Sequence, residues 1–189
     1  MLKKSYVSLK KGVFLVASPD MDKSVFSRSV ILLCEHSVAG SFGLMLNRTL
    51  ALDLSDEIFS LENVTNENAR FCMGGPIQAN QMMLLHTRGH IPDQTLEICP
   101  SVYLGGDVNF LQEIASDPTS PSLCLCFGYS GWQGGQLEKE FLEGLWFTCP
   151  ASSQKIFESN PGSLWEDLLR EMGARYASLA TVPENLSLN

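Results

Sequence analysis

The chain has 189 residues, of which 44% are hydrophobic and 18% are charged, and this composition excludes an intrinsically disordered, collagen-like or coiled-coil protein. The formal net charge is −8, and Lys3, Lys4, Lys10 and Lys11 all stand in the first eleven residues. Because no basic cluster follows them, direct binding to nucleic acid is not expected. Apolar runs such as Val13–Ala17 are too short for a transmembrane helix or a signal-peptide core, which predicts a cytoplasmic protein with no membrane partner.

The first half of the chain predicts three strands and one helix. Apolar runs predict strands at Val13–Ala17, 29–34 and 42–47. The Ala-Gly-Ser segment 39–41 suits the turn of a hairpin between the last two strands. Apolar residues at spacings of four and three predict a short helix over 53–61.

The second half mixes short strands with helices. Apolar runs predict strands at 82–86, Thr95–Cys99, 122–129 and 146–148. Asp107 is a suitable N-cap for a helix that continues through residue 115. Helical spacing predicts another helix over 136–144 and a helical turn over Ser153–Phe157. The Ser-Leu-Trp-Glu segment 163–166 has the pattern of a capping box, which predicts that the last helix begins there and ends at Gly173.

These elements indicate an α+β fold. Strands outnumber helices, and tight turns between neighbouring strands require antiparallel pairing, which disfavours a doubly wound parallel sheet. No repeat, low-complexity tract or linker divides the chain. We therefore expect a single domain over residues 1–176, followed by a frayed tail over 177–189, where apolar periodicity is lost.

Most of the six cysteines are expected to pack as small apolar residues rather than to form disulfides. Most of them stand inside apolar runs, as Cys34, Cys124 and Cys126 do, and a buried free cysteine behaves as a small hydrophobic residue. The chain has no CxxC pair, which disfavours a structural zinc site or a thioredoxin-type centre. Cys124 and Cys126 are two residues apart and should therefore lie on one face of a strand.

No segment carries a recognised catalytic motif. The Gly-Tyr-Ser-Gly-Trp segment 128–132 differs from a nucleophile elbow because Trp132 stands where that motif has glycine. The glycine pairs at 74–75 and 105–106 lack the spacing of a P-loop or a dinucleotide-binding loop. A lone histidine is more often structural than catalytic. We therefore expect no catalytic residue, no metal ion and no cofactor.

Four blocks of sequence are informative through their order and spacing. They comprise 12–19 with Met21, Asp22 and Phe26; 29–36 with Gly40, 43–44 and 47–48; 74–77 with 85–86; and 128–132 with 135–138, Glu140, Trp146, 150–151, Phe157 and Trp165. Together these blocks resemble the YqgE/AlgH family of bacterial proteins over about residues 9–175. Three positions depart from the family pattern: Ser41 stands where alanine is usual, Thr49 where proline is usual, and Met73 where a smaller or different aliphatic residue is ordinary.

The resemblance implies a single α+β domain whose strongly bent, mostly antiparallel sheet closes toward a barrel and is flanked by helices. It carries over no established enzymatic activity. Some members of the family are labelled transcriptional regulators, but the acidic charge of this chain argues against direct contact with DNA.

Polar and aromatic residues at the ends of the predicted elements are candidates for a binding site. They are His36, Asn47, Arg48, His86, Tyr129, Trp132, Gln136 and Glu140. If the bent sheet brings them together, the aromatic side chains would form an apolar wall and the polar side chains would orient a ligand. This predicts a non-enzymatic binding or regulatory protein whose partner is a small molecule or another protein.

Three other interpretations stay open. A small-molecule hydrolase or transferase would use His36 or His86 as its base and Glu138 or Glu140 as its acid. A transcription-related protein would bind nucleic acid through the N-terminal lysines. In a purely structural interpretation, the glycines and tryptophans shape turns and Asn47 ties a loop to the backbone.

Overall fold

The computed structural model describes residues 9–21, 24–50, 69–91, 93–115, 117 and 122–182. These residues form an α+β domain in which nine strands make one curled, mostly antiparallel sheet that is flanked by five helices. The predicted fold class and the bent sheet are therefore confirmed.

Strand β8 lies at the centre of the sheet. The strands are β1 Val13–Ala17, β2 Val30–Ser37, β3 Gly40–Met45, β4 Ala69–Met73, β5 Ile77–His86, β6 Thr95–Cys99, β7 Val102–Gly105, β8 Leu123–Gln133 and β9 Trp146–Pro150. Their order is β6-β7-β5-β8-β3-β2-β1-β9, and β4 pairs with β8 off this path. The β4–β8 pair is parallel, whereas the other pairs described are antiparallel.

The sheet curls until the residue before β1 meets β6. A Cβ placed on Gly12 would lie 2.6 Å from the carbonyl oxygen of Ile98, and Gly12 has a φ of +82°. Only glycine adopts that conformation without strain and allows so close an approach. Gly12 therefore helps the sheet to close toward a barrel.

The helices are short. They are α1 Val108–Ala115, α2 Gln136–Leu142, α3 Ser153–Phe157, α4 Pro161–Glu171 and α5 Ala174–Ala177, with 3₁₀ turns at Pro19–Met21 and Leu179–Thr181. None of the helices in the described ranges is both long enough and apolar enough to cross a membrane.

Several predicted elements are confirmed. Val13–Ala17, Thr95–Cys99 and Ser153–Phe157 have the predicted bounds. The backbone N–H of Phe110 donates to Oδ1 of Asp107 at 2.8 Å, so Asp107 caps α1 as expected. The predicted hairpin also forms, but its turn lies at 38–39 rather than 39–41 because Gly40 already pairs with Ser37.

The last long helix begins earlier than predicted. It starts at Pro161, and its N-cap is Asn160, whose Oδ1 accepts the N–H of Gly162 at 2.9 Å. The expected capping box at 163–166 is therefore wrong, and Ser163 Oγ instead donates to Oδ2 of Asp167. Proline at the first helical position and asparagine before it are the stronger signals for a helix start.

Two observed strands, β4 and β7, were not predicted. Both are short, and β4 has Arg70 at its second position. The helix predicted over 53–61 lies outside the described residues. Of the tail expected to be frayed, the described part includes the 3₁₀ turn Leu179–Thr181, in which Ala180 is buried, while residues 183–189 lie outside it.

Both faces of the central sheet are covered. Along β1, Phe14 and Val16 pack in one apolar cluster with residues of α4, whereas Val13, Leu15 and Ala17 pack in another with Leu137 of α2. This alternation is the two-residue period of a strand, and it leaves all five residues of β1 buried. We call the two sides the α4 face and the α2 face. A third cluster packs α1 against β4, β5 and β8.

All six cysteines lie in the described part of the chain, and all are free thiols. Cys124 and Cys126 are buried in the cluster on the α4 face, with their sulfur atoms 3.8 Å apart. The expectation that they share one face of a strand and pack in the core is confirmed.

Candidate functional site

The eight candidate residues do not converge in one cleft. Trp132, Gln136 and Glu140 contact one another on the α2 face, and His36 contacts helix α2 through Glu138. Tyr129 packs with the cluster on the α4 face, and it lines one groove together with Trp132 and Gln136. Asn47 and Arg48 bond to residues 27–30, where the chain enters β2, and His86 is buried beside Phe110.

Glu140 is the centre of a hydrogen-bond network that attaches α2 to the sheet. Its Oε2 accepts the indole N–H of Trp132 at 2.9 Å and that of Trp146 at 2.8 Å. Its Oε1 accepts the side-chain amide of Gln136 at 2.9 Å. Phe26 stacks on Trp132, with ring centroids 6.3 Å apart. These bonds fix the orientations of both indoles, which is primarily a structural role.

His36 contacts a serine and a carboxylate. Its Nδ1 lies 2.7 Å from Oγ of Ser41, directly across the β2–β3 hairpin. Its Nε2 lies 3.7 Å from Oε1 of Glu138 on α2. A histidine between a hydroxyl and a carboxylate is the arrangement that activates a serine nucleophile. Here the contact with the carboxylate is longer than a hydrogen bond.

A groove opens beside the β2–β3 hairpin and has a volume of about 610 Å³. Phe42 and Tyr129 form its aromatic floor, with ring centroids 6.2 Å apart at an interplanar angle of 82°. The lining residues are Glu35, Ser37, Ala39, Gly40, Ser41, Phe42, Ile77, Tyr129, Gly131, Trp132, Gln133 and Gln136. We call this cavity the Tyr129 groove.

A second cavity of about 400 Å³ shares both aromatic residues with the Tyr129 groove. Its other lining residues are Gln78, Gln81 and Met83 of β5. The strand bulges here because the register between β5 and β8 shifts between Ile77 and Met82, which leaves residues 77–81 exposed. The two cavities form one surface around Phe42 and Tyr129.

Asn47 and Arg48 hold the chain that leads into β2. Asn47 Oδ1 accepts the N–H of Val30 at 2.8 Å, and its Nδ2 donates to the carbonyl of Arg28 at 2.9 Å. The Arg48 guanidinium donates to the carbonyl of Ser27. These are the bonds expected if Asn47 ties a loop to the backbone.

His86 is fully buried, away from the Tyr129 groove. Its ring packs against Tyr103 and Phe110 at centroid distances of 5.8 and 4.9 Å. Nδ1 lies 3.3 Å from the backbone N–H of Arg88, while Nε2 has no hydrogen-bond partner among the described residues. Burial lowers the pKa of His86 to about 4, because removal from water disfavours the charged ring.

Of the residues that line the two cavities, the candidates from the sequence included Tyr129, Trp132 and Gln136 but not Phe42, Gln78 or Gln81. The polar Gln-Ala-Asn-Gln run 78–81, which precedes the apolar half of β5, is the sequence feature that could have indicated the two glutamines. No sequence feature indicates that Phe42 packs against Tyr129, because that contact joins strands that are distant along the chain. Within the described ranges, no cluster of three or more His, Cys, Asp or Glu residues could hold a metal ion.

A family model described as AlgH-like matches residues 14–177. The chain belongs to this family. The UPF0301 protein of Chlamydia caviae is 65% identical over 189 residues, which cover 100% of both chains. The identification from the four sequence blocks is therefore confirmed.

Two solved structures are similar to this AlgH-like chain. The solution structure of the AlgH protein from Pseudomonas aeruginosa has a TM-score of 0.71 and 29% sequence identity, with 97% of this chain and 98% of that chain covered. A crystal structure of a Corynebacterium diphtheriae protein has a TM-score of 0.77 and 24% identity, with 93% of each chain covered. The second likeness supports the fold alone.

Proposed function

We propose that this protein is a non-enzymatic binding protein and that the Tyr129 groove is its ligand site. The observation that carries the proposal is the aromatic floor formed by Phe42 and Tyr129. Both residues are half-buried, so their rings are held by the core and still line the cavity. Rigid aromatic surface of this kind binds flat apolar faces at little cost in conformational entropy.

The charge of the lining favours a neutral or cationic ligand. Among the described residues that line the groove, the exposed Glu35 carries the single formal charge, and the whole chain has a net charge of −8. An anion would find no basic side chain among these described residues to offset its loss of hydration. Gln78, Gln81 and Gln133 line the walls, and their carboxamides can both donate and accept hydrogen bonds. We infer a ligand that presents a flat apolar face and uncharged polar groups, such as a sugar or a nucleobase.

The same lining supports a non-enzymatic role. Glu35 and Tyr129 are its titratable residues, and neither is bonded to a nucleophile in the contacts described.

We also infer a reducing compartment such as the cytoplasm, because all six cysteines are free thiols and disulfides are rare in that compartment.

Backbone NMR on labelled protein tests the proposal with four probes: N-acetylglucosamine, adenosine, ATP and inorganic phosphate. We expect the uncharged probes to shift resonances around Phe42, Tyr129 and residues 77–83, and phosphate to shift none. Tyr129→Leu and Gln81→Ala should weaken binding, whereas the exposed Gln94, outside both cavities, should tolerate Gln94→Ala. Binding of the anions alone, or shifts confined to residues outside the groove, would contradict the proposal.

A hydrolase is the second candidate, favoured by the 2.7 Å contact between His36 Nδ1 and Ser41 Oγ. Ser41 also borders the groove. Against this candidate, Ser41 is a departure from the family pattern, in which alanine is usual. A fluorophosphonate probe tests it. Labelling at Ser41 that is lost in His36→Ala and retained in His90→Ala would support a hydrolase. An unlabelled Ser41 would contradict its role as an activated nucleophile.

A further inference from the structure

Three cysteines and one arginine form a compact patch where β4 and β8 run parallel. Cys72 lies opposite Cys126, and Arg70 lies opposite Cys124. Because residues two apart share a face of a strand, all four side chains lie on the same side of the sheet. The sulfur of Cys72 is 3.5 Å from that of Cys124, which is 3.8 Å from that of Cys126.

Arg70 places a positive charge beside these thiols. Its guanidinium donates to the carbonyls of Ile156, Phe157 and Ser159 at 2.9, 3.0 and 2.7 Å. Carbonyl acceptors are uncharged, so these bonds hold the guanidinium in place without neutralising it. A fixed positive charge close to a thiol favours the thiolate, the form that reacts as a nucleophile.

Cys72 differs from the other cysteines in its ionisation. Hydrogen bonds from the Cys124 and Cys126 thiols, together with the charge of Arg70, lower its pKa despite burial. Burial raises the pKa of Cys34, Cys99 and Cys149. The patch therefore contains an acidic thiol with a second thiol in contact with it, which are two of the features of redox-reactive cysteines.

We propose that Cys72 and Cys124 form a redox-active pair that a hydroperoxide converts to a disulfide between β4 and β8. In the first step, Cys72 Sγ attacks hydrogen peroxide, an S–O bond forms, the O–O bond breaks and one water leaves. In the second step, Cys124 Sγ attacks the Cys72 sulfenic acid, an S–S bond forms, the S–O bond breaks and a second water leaves. The two thiols lose two electrons and two protons, and one peroxide is reduced to two waters. This pair lies outside the Tyr129 groove and is independent of its ligand.

The burial of the two thiols limits how fast peroxide can react with them. Cys72 and Cys124 are almost completely buried, so peroxide must enter the core before it can react. The half-buried Cys149 is more accessible, but its pKa is raised to about 11 and it has no thiol in contact among the bonds described. We therefore expect the native protein to form the Cys72–Cys124 disulfide in preference to oxidation of Cys149.

The test is peroxide treatment of the reduced, folded protein, followed by alkylation, digestion without reductant and mass spectrometry. We expect one disulfide that joins the Cys72 peptide to the peptide holding Cys124 and Cys126. Cys126→Ala should retain it. Cys124→Ala should abolish the link and leave a Cys72 sulfenic acid that dimedone traps. Circular dichroism identifies any variant that does not fold.

Three results would overturn the proposal: a disulfide retained in Cys124→Ala, a disulfide that leaves Cys72 free, or alkylation of every thiol after prolonged exposure to peroxide. Oxidation of protein unfolded in urea is the matched control. It should give mixed pairings, because the folded state alone holds these two sulfur atoms in contact.

Discussion

Trp132 and Trp146 donate their indole N–H groups to the same oxygen, Oε2 of Glu140, at 2.9 and 2.8 Å. The two residues belong to β8 and β9, which are separated in the sheet by β3, β2 and β1. One carboxylate on α2 therefore holds two strands that do not pair with each other.

Glu140→Gln should destabilise the protein by about 1.5–3 kcal/mol, because bonds to an ionised acceptor are stronger than those to an amide oxygen. Urea unfolding followed by tryptophan fluorescence measures the change in the free energy of unfolding. Glu143→Gln is the matched control: Glu143 lies on the same helical segment, and its exposed ion pair with Lys139 is 3.9 Å long. Its cost should stay below about 0.5 kcal/mol. Equal costs for the two variants would contradict the role assigned to Glu140.

His86 should make the stability of the protein depend on pH. Its pKa is about 4 in the folded state, against an ordinary value of 6.5, so the unfolded chain binds more protons between these values. The contribution of the neutral His86 is therefore fully present above about pH 6.5 and is lost as the pH falls toward 4, by up to about 1.4 kcal/mol per pH unit.

His86→Phe, which retains a ring between Tyr103 and Phe110, should reduce this pH dependence. The free energy of urea unfolding, measured at several pH values over that window, checks the prediction. His90→Gln is the control, because His90 is exposed. An unchanged slope in His86→Phe would show that His86 is not the group responsible.

Arg70 joins β4 to the C-terminal end of α3 through its bonds to three carbonyls. Arg70→Met keeps much of the apolar stem but leaves those carbonyls without their charged donor, and should cost about 2–4 kcal/mol. The exposed Arg175, whose guanidinium lies 6.0 Å from the Tyr176 ring centroid, provides the control Arg175→Met. Thermal and urea unfolding should place that control within about 0.5 kcal/mol of the parent protein.

Local patterns predicted much of the fold. The apolar runs that became β1 and β6, the hairpin between β2 and β3, and the Asp107 cap of α1 are all set by residues near one another in sequence. The start of α4 was predicted incorrectly although its signal is also local: Asn160 and Pro161 are better start residues than the Ser-Leu-Trp-Glu segment that follows them.

The candidate site was less predictable. Trp132, Gln136 and Glu140 do meet, because they lie within nine residues around one turn. Asn47, His86 and Tyr129 stand equally close to element ends, but they point into three different environments. Strand alternation alone could not separate them, because the bulges in β2 and β5 shift the register and exchange the faces on which later residues lie.

The sequence by itself determined the family, the α+β class, the acidic charge and the core character of Cys124 and Cys126, because each follows from composition, from patterns within short segments or from the order of such segments along the chain. The tertiary structure alone decided that Phe42 meets Tyr129 and that Cys72 meets Cys124. Both contacts join residues distant along the chain. They form through the pairing of β8 with β3 and with β4, and the register of such pairs is selected by burial of the whole sheet rather than by any local segment.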